Sequence, residues 1–205
     1  MAVVVIGGHS RNIGKTSVVA GLIARFPEFH WTAFKITQYG HGFCTADGKP
    51  CQCQTADSCV SVSAEQDAAS GTDTSRFLAA GAARSIWVRT RIGMLPEAMP
   101  RIEKELAASE NAILESNSVL EFLQPDLYLT VFDPAVTDFK DSARRYLHRA
   151  DAVLIASPRD EEGLDAALAG KLCFRIAPPT YMSENLVDFV RARLAPQFQN
   201  LSSAQ

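Results

Sequence analysis

Basic residues are not in surplus in this sequence: 20 Lys and Arg stand against 23 Asp and Glu, a formal net charge of −3. That balance speaks against a duplex-binding surface, so no nucleic-acid partner is expected. No stretch reaches the ~18 consecutive apolar residues of a membrane-spanning helix, so no membrane partner is expected either. The opening run MAVVVIGG has no basic flank and is too short for a secretory leader, which makes a cytoplasmic location the expectation. Repeats and low-complexity tracts are absent. The five cysteines form neither an even disulfide framework nor the paired C-x2-C spacing of a zinc ribbon. What is present suffices for a core: 47% of the 205 residues are apolar and 21% charged, which excludes a disordered chain.

Strand and helix patterns alternate along the chain. Val3–Ile6 is a β-branched run of the kind buried on both faces of a parallel sheet. Val18, Val19, Leu22 and Ile23 keep helical spacing within Lys15–Arg25, and Pro27 ends that helix. Further strands are expected at Trp31–Ile36, Arg84–Thr90, Ala112–Leu114, Leu127–Phe132, Ala152–Ala156 and Cys173–Ile176. Helices are expected at Asp73–Ala82, Pro96–Ala108, Ser142–Arg149, Leu164–Ala169 and Glu184–Leu194. The alternation predicts a three-layer α/β fold with a mostly parallel sheet. The expected organisation is a single domain over residues 1–195, with an irregular Cys-rich insertion at 38–71 and a frayed tail at 196–205.

The strongest chemical signal lies between the first strand and first helix: Gly8-His9-Ser10-Arg11-Asn12-Ile13-Gly14-Lys15-Thr16-Ser17. A loop in that setting points backbone N–H groups and a helix N-terminus at phosphates. Gly14 lets the backbone approach, Lys15 neutralises the β- and γ-phosphates, and the Thr16 hydroxyl suits Mg²⁺. The standard spacing is G-x4-G-K-[ST]; here five residues separate Gly8 from Gly14, and His9 stands at the usual glycine position.

That longer spacing resembles the loop of dethiobiotin synthetases, which also carry a lysine after the second strand, matched here by Lys35 in Ala33-Phe34-Lys35-Ile36-Thr37. A longer resemblance, over about residues 2–132, is to the molybdopterin-guanine dinucleotide biosynthesis protein B family. It rests on the P-loop, on Lys35, and on Thr72-Asp73-Thr74-Ser75-Arg76-Phe77-Leu78-Ala79-Ala80-Gly81-Ala82, which is similar to that family's K-D-[ST]-x-R-x-x-x-A-G-A. Ile113-Leu114-Glu115-Ser116-Asn117 stands where the family has V-E-G, with Ser116 in the glycine's place. Both families belong to a broad class of P-loop NTPases.

The resemblance implies that Glu115 and Asp73 join Lys15 as the catalytic residues, with Thr16 and Glu115 on Mg²⁺. Glu115 ends a buried strand at the carboxyl edge of the sheet, beside the P-loop. Asp73 suits two roles, a cap on the helix that follows or a metal-linked acid. Lys35 would face an anionic ligand. Asp133 is read as part of a turn with Pro134.

Four of the cysteines, Cys44, Cys51, Cys53 and Cys59, fall within 16 residues of one another, with His41 just ahead of them. In a polar loop, such thiolates suit Zn²⁺ first and an iron–sulfur cluster second; disulfides or reduced thiols are the other readings. Cys173, in Leu172-Cys173-Phe174, reads as a core thiol. Ser157-Pro158-Arg159-Asp160 follows a late strand, where it forms either a Pro-led turn or a contact with the nucleotide base.

The expected function is Mg²⁺-dependent binding and hydrolysis of ATP or GTP, tied by the resemblance to cofactor assembly or metal delivery and to a molybdopterin-related or other cofactor-assembly partner. The class commonly dimerises, which makes a homodimer an implication of the resemblance. Two alternatives stand: an ATP-dependent synthetase acting on a small carboxylate near Lys35, and a nucleotide- or metal-gated binding module with little catalysis.

Overall fold

The computed structural model describes residues 1–40, 59–157, 168 and 170–202. His41, Cys44, Cys51, Cys53, Pro158, Arg159 and Asp160 lie outside the described residues, as does nearly all of the helix expected at Leu164–Ala169. The strands are β1 (Val3–Gly8), β2 (Trp31–Tyr39), β3 (Val60–Ala64), β4 (Arg84–Arg91), β5 (Asn111–Glu115), β6 (Leu127–Phe132), β7 (Ala152–Ile155) and β8 (Cys173–Arg175). The α-helices are α1 (Lys15–Arg25), α2 (Asp73–Ala79), α3 (Leu95–Ala107), α4 (Asp141–Tyr146) and α5 (Glu184–Ser202).

The strands form one sheet in the order β3-β4-β2-β5-β1-β6-β7-β8. All neighbours are parallel except β3, which runs antiparallel to β4 at the edge. Side-chain alternation sorts the core into two layers. Val4, Ile6, Ala33 and Ile113 face α1 and α5, where Val18, Leu22, Leu186 and Val190 are buried. Val5, Phe34, Leu114 and Tyr128 face α3, where Ala98, Met99, Ile102 and Leu106 are buried. The expected three-layer α/β architecture is therefore present. Trp31 anchors one layer: its ring stacks on Phe29 at 4.7 Å and its Nε1 donates to the Phe26 carbonyl.

Several boundaries differ from the sequence reading. β2 runs three residues past Ile36 because β4 pairs with it as far as Tyr39 opposite Arg91. Within the stretch expected to be an irregular insertion, Val60–Ala64 is a strand. Its Val-Ser alternation is too short to signal a strand locally, and Val60 and Val62 earn their place by packing on the α3 layer. The backbone of α5 continues through Pro196 to Ser202, where a frayed tail is expected from sequence. Cys173 is exposed, not a core thiol: β8 is an edge strand, and Phe174, not Cys173, turns inward against Phe189. Asp133 does form the expected turn, its carboxylate accepting from the Ala135 N–H.

The link from β3 to α2 is organised by one half-buried carboxylate. Glu65 accepts from the Gln66 and Asp67 N–H groups and from the hydroxyls of Ser70, Thr72 and Thr74. These bonds favour the ionised form, with the Asp67 N–H contributing most, and hold its pKa at about 2 instead of the ordinary 4.5. A depressed carboxylate stabilises the fold above its unfolded value and loses that contribution as pH falls toward the folded one. A carboxyl NMR titration should therefore find Glu65 still ionised at pH 3.5; a midpoint near 4.5 would show that the loop is not held this way.

Candidate functional site

Parallel pairing places the carboxyl ends of β1, β2, β5, β6 and β7 along one edge of the sheet, and the loop from Gly8 to Gly14 rises from the middle of that edge. Gly8 closes β1 and is gripped by Asn117, which accepts from its N–H and donates to its carbonyl. Ile13 inserts into the α1-side core. Asn12 (φ 55°) is exposed and left-handed, and Gly14 (φ 93°) is the N-cap of α1. A left-handed φ at Gly14 disfavours any side chain there. So does the Tyr181 ring, whose Cδ1 would lie 2.7 Å from an added Cβ. This backbone turns the first amides of α1 toward the mouth of the loop, the geometry that binds phosphate.

Register explains the charged centre. Lys35 on β2 lies directly opposite Glu115 on β5, and Glu115 lies opposite Ile6 on β1. Residues in register on parallel strands share a face, here the α1 side, so both side chains project under the start of α1. Glu115, 4% exposed, accepts from the Thr16 hydroxyl at 2.8 Å and from the Lys35 ammonium at 2.5 Å. Lys35 also pairs with Asp73 at 2.8 Å. Burial alone would lower the Lys35 pKa, but the two carboxylates outweigh it and raise it; Asp73 is lowered, mainly by Lys35, against its own desolvation.

Asp73 is not the cap of α2. Thr72 fills that position, its hydroxyl accepting from the Ser75 N–H at 3.1 Å. The Asp73 carboxylate is thereby left to face Lys35, while Arg76, one turn on, donates to the Ser17 hydroxyl. The Lys15 ammonium donates to the Ser10 carbonyl. Burial, then the nearby Lys140 charge, lowers its pKa to about 8.

Sequence reasoning missed Asn117, Lys140 and Tyr181. Each reaches the loop from more than 100 residues away, and only the adjacency of β5 and β6 to β1 puts the first two there. A cavity of about 390 Å³ opens at the carboxyl ends of β7 and β8, lined by Ser157, Arg175, Ile176, Ala177, Pro178, Thr180 and Met182. Ser157 is thus the part of the suggested base-contact loop that is described. Cys59 is half-buried just before β3, and among the described residues no group of three or more His, Cys, Asp or Glu is gathered. Among the same residues no helix is long and apolar enough to cross a membrane.

No family model matches the chain, and no curated protein matches it. Among solved structures it is similar to LpxK from Aquifex aeolicus in complex with ATP, at 16% identity and a TM-score of 0.49, over 85% of this chain and 53% of that one. It is also similar to HypB from Helicobacter pylori in complex with nickel, at 16% identity and a TM-score of 0.47, over 97% of this chain and 88% of that one. The chain spans about half the length of LpxK. Its own strand order, the left-handed Gly14 and the Lys15-Thr16 helix start beneath which Glu115 lies give it the P-loop NTPase fold.

Proposed function

We propose that this protein binds ATP or GTP with Mg²⁺ at the Gly8–Ser17 loop and hydrolyses it, in the service of cofactor assembly or metal delivery. The observation that carries the reading is the convergence of Thr16, Glu115 and Asp73 beneath a phosphate-binding loop that presents Lys15. A hydroxyl and two carboxylates are the hard oxygen donors Mg²⁺ prefers, and an ammonium already sits between the two acids where positive charge is favoured. When bound, Mg²⁺ would neutralise charge on the β- and γ-phosphates. The loop amides hold the phosphates, Lys15 offers its protons to the β–γ region, and Lys35 pairs with Glu115 and Asp73 and keeps them aligned. The base is seated in the cavity beside Ser157, Arg175 and Pro178. The synthetase alternative is less favoured, because Lys35 faces two protein carboxylates and not an open substrate space.

A thermal-shift screen with ATP and GTP, each with and without Mg²⁺, tests ligand class. At 100 times Kd a ligand adds about 2.7 kcal/mol, a rise of about 5–10 °C for a chain of this size. No shift with either nucleotide refutes the reading. Binding without turnover supports the gated-module alternative.

The metal-delivery branch rests on the resemblance to the molybdopterin-guanine dinucleotide biosynthesis protein B family and on the proposal that Cys44, Cys51, Cys53 and Cys59 hold Zn²⁺ or an iron–sulfur cluster. Protein purified anaerobically should carry about one zinc, or iron with sulfide, per chain. Neither metal, with all four thiols alkylated, removes that branch.

A further inference from the structure

His9 breaks the P-loop pattern, and its surroundings give a reason. Its ring, 2% exposed, lies against Phe132 at 4.6 Å and Phe139 at 5.2 Å, the two ends of the segment that joins β6 to α4. Its Nε2 bonds to the Val136 carbonyl at 3.0 Å; a carbonyl only accepts, so Nε2 is the donor. Its own backbone carbonyl accepts from the Lys140 N–H at 2.8 Å. The neighbouring Ser10 hydroxyl donates to Asp138 at 3.0 Å. The segment is therefore clipped to the phosphate loop at both backbone and side chain.

The clip delivers a cation. Lys140, at the end of the segment, has no carboxylate at ion-pair distance among the described residues. Burial chiefly, then Arg11 and Lys35, push its pKa down to about 8 against the opposing pull of Asp138 and Glu115. It is also the strongest electrostatic influence on Lys15. Lys15 starts the helix at the end of the phosphate loop, Lys140 is tied to the same loop through the His9 carbonyl, and among the described residues neither has a carboxylate at ion-pair distance, an arrangement that suits a polyanion.

We propose that Lys140 is a second phosphate-facing catalytic lysine, which binds the γ-phosphoryl group as it is transferred, and that His9 is the positioning residue that holds it there. The inference rests on the nucleotide-hydrolysis reading above. In the step, the water oxygen bonds to the γ-phosphorus as the bond from that phosphorus to the β–γ bridging oxygen breaks. The electron pair leaves with the nucleoside diphosphate, and the water proton ends on the released inorganic phosphate. Lys140 keeps its proton and offers it to oxygens whose charge shifts during transfer, an electrostatic role.

The test uses the full chain with Mg²⁺ and whichever of ATP or GTP it binds. Lys140→Gln should lower kcat by about 100-fold while changing nucleotide Kd by no more than about threefold. Lys140→Arg should retain at least about a tenth of the rate. The parent should bind nucleoside diphosphate with aluminium fluoride more tightly than nucleoside diphosphate alone, and Lys140→Gln should lose that gain. His9→Gly should lower kcat with Kd preserved, and the double variant should be no slower than Lys140→Gln, since the two act as one unit. If Lys140→Gln does not fold, His9→Gly carries the same kinetic split, and Lys140→Arg should keep the aluminium fluoride gain. A parent that binds neither nucleotide removes the functional reading and this inference together. A parent that binds and turns over nucleotide, with kcat unchanged in Lys140→Gln or with its loss confined to Kd, overturns this inference alone. So does a parent that binds but shows neither turnover nor an aluminium fluoride gain.

Discussion

Lys15→Ala is expected to cut nucleotide turnover by at least about 100-fold and, at pH 7, to raise the melting temperature of the ligand-free protein. The two effects come from one cause. Burial and Lys140 disfavour the charged form of Lys15 and hold its folded pKa at about 8, below the ordinary 10.5. A lysine whose pKa is lowered by folding opposes the fold below the folded value, and the penalty fades as pH rises from about 8 toward 10.5. Removing the side chain removes that penalty at pH 7 and nearly none of it above pH 10.5. Triphosphate restores a reason for the charge. Near pH 9, nucleotide binding should therefore take up protons, read by titration calorimetry in buffers of different ionisation enthalpy. Lys15→Ala should reduce the uptake, and Lys140, also held at about 8, supplies the remainder. Equal melting temperatures for parent and variant at pH 7, or the absence of proton uptake, would contradict this account of the site. An unaltered turnover rate would remove Lys15 from the chemistry.

Lys35→Met should destabilise the protein by about 3 kcal/mol at pH 7, measured by urea denaturation. Breaking a buried ion pair from one side costs ~3–5 kcal/mol because a charge is left uncompensated. The low end applies because Asp73 is 42% exposed and regains water, whereas Glu115, at 4%, keeps among the described residues the Thr16 hydroxyl alone. The pH dependence follows from the cited directions. Lys35 is raised, so its contribution is whole below the ordinary 10.5 and is lost as pH climbs through the still higher folded value. Asp73 is lowered, so its contribution is present above the ordinary 3.8 and is lost as pH falls below it. Between those limits Lys35 and Asp73 are both charged. In Lys35→Met the cation that lowered Asp73 is gone, and the acid arm of the stability curve should flatten. Variant and parent curves that run parallel from pH 3 to pH 6 would show that Lys35 is not the counter-ion of this pair. Glu115→Gln offers a control, since it keeps an acceptor for Thr16 while removing one of the two carboxylates on Lys35.

How legible the site was depends on how its residues are brought together. The run from Gly8 to Ser17 is contiguous, and a buried strand before it with a helix after it suffices to infer its geometry. Glu115 was placed by a general rule, that the end of a buried parallel strand reaches the carboxyl edge. Asp73 was ambiguous because Thr72 and Asp73 can both cap a helix, and only the hydrogen bond from Ser75 to Thr72 decides between them. Cys173 was misread because the strand Cys-Phe-Arg has no local signal of which face is covered. Its position at the sheet edge settles that. Val60–Ala64 was hidden for the same reason: an edge strand of alternating Val and Ser is stabilised by β4 and α3, not by its own propensity.

By itself the sequence determined the alternation of strands and helices, the two-faced burial of the central strands, and the phosphate-binding loop with its lysine and threonine. These are local properties, set by periodicity, β-branching and the conformational freedom of Gly14. Tertiary structure alone decided that Lys35 and Glu115 share a register, that Asn117 grips Gly8, and that His9 locks the β6–α4 segment and so ties the Lys140 backbone to the phosphate loop. Strand order is the physical reason: β5 and β6 flank β1, so side chains more than 100 residues apart meet at one edge. Nothing in either segment alone encodes that meeting.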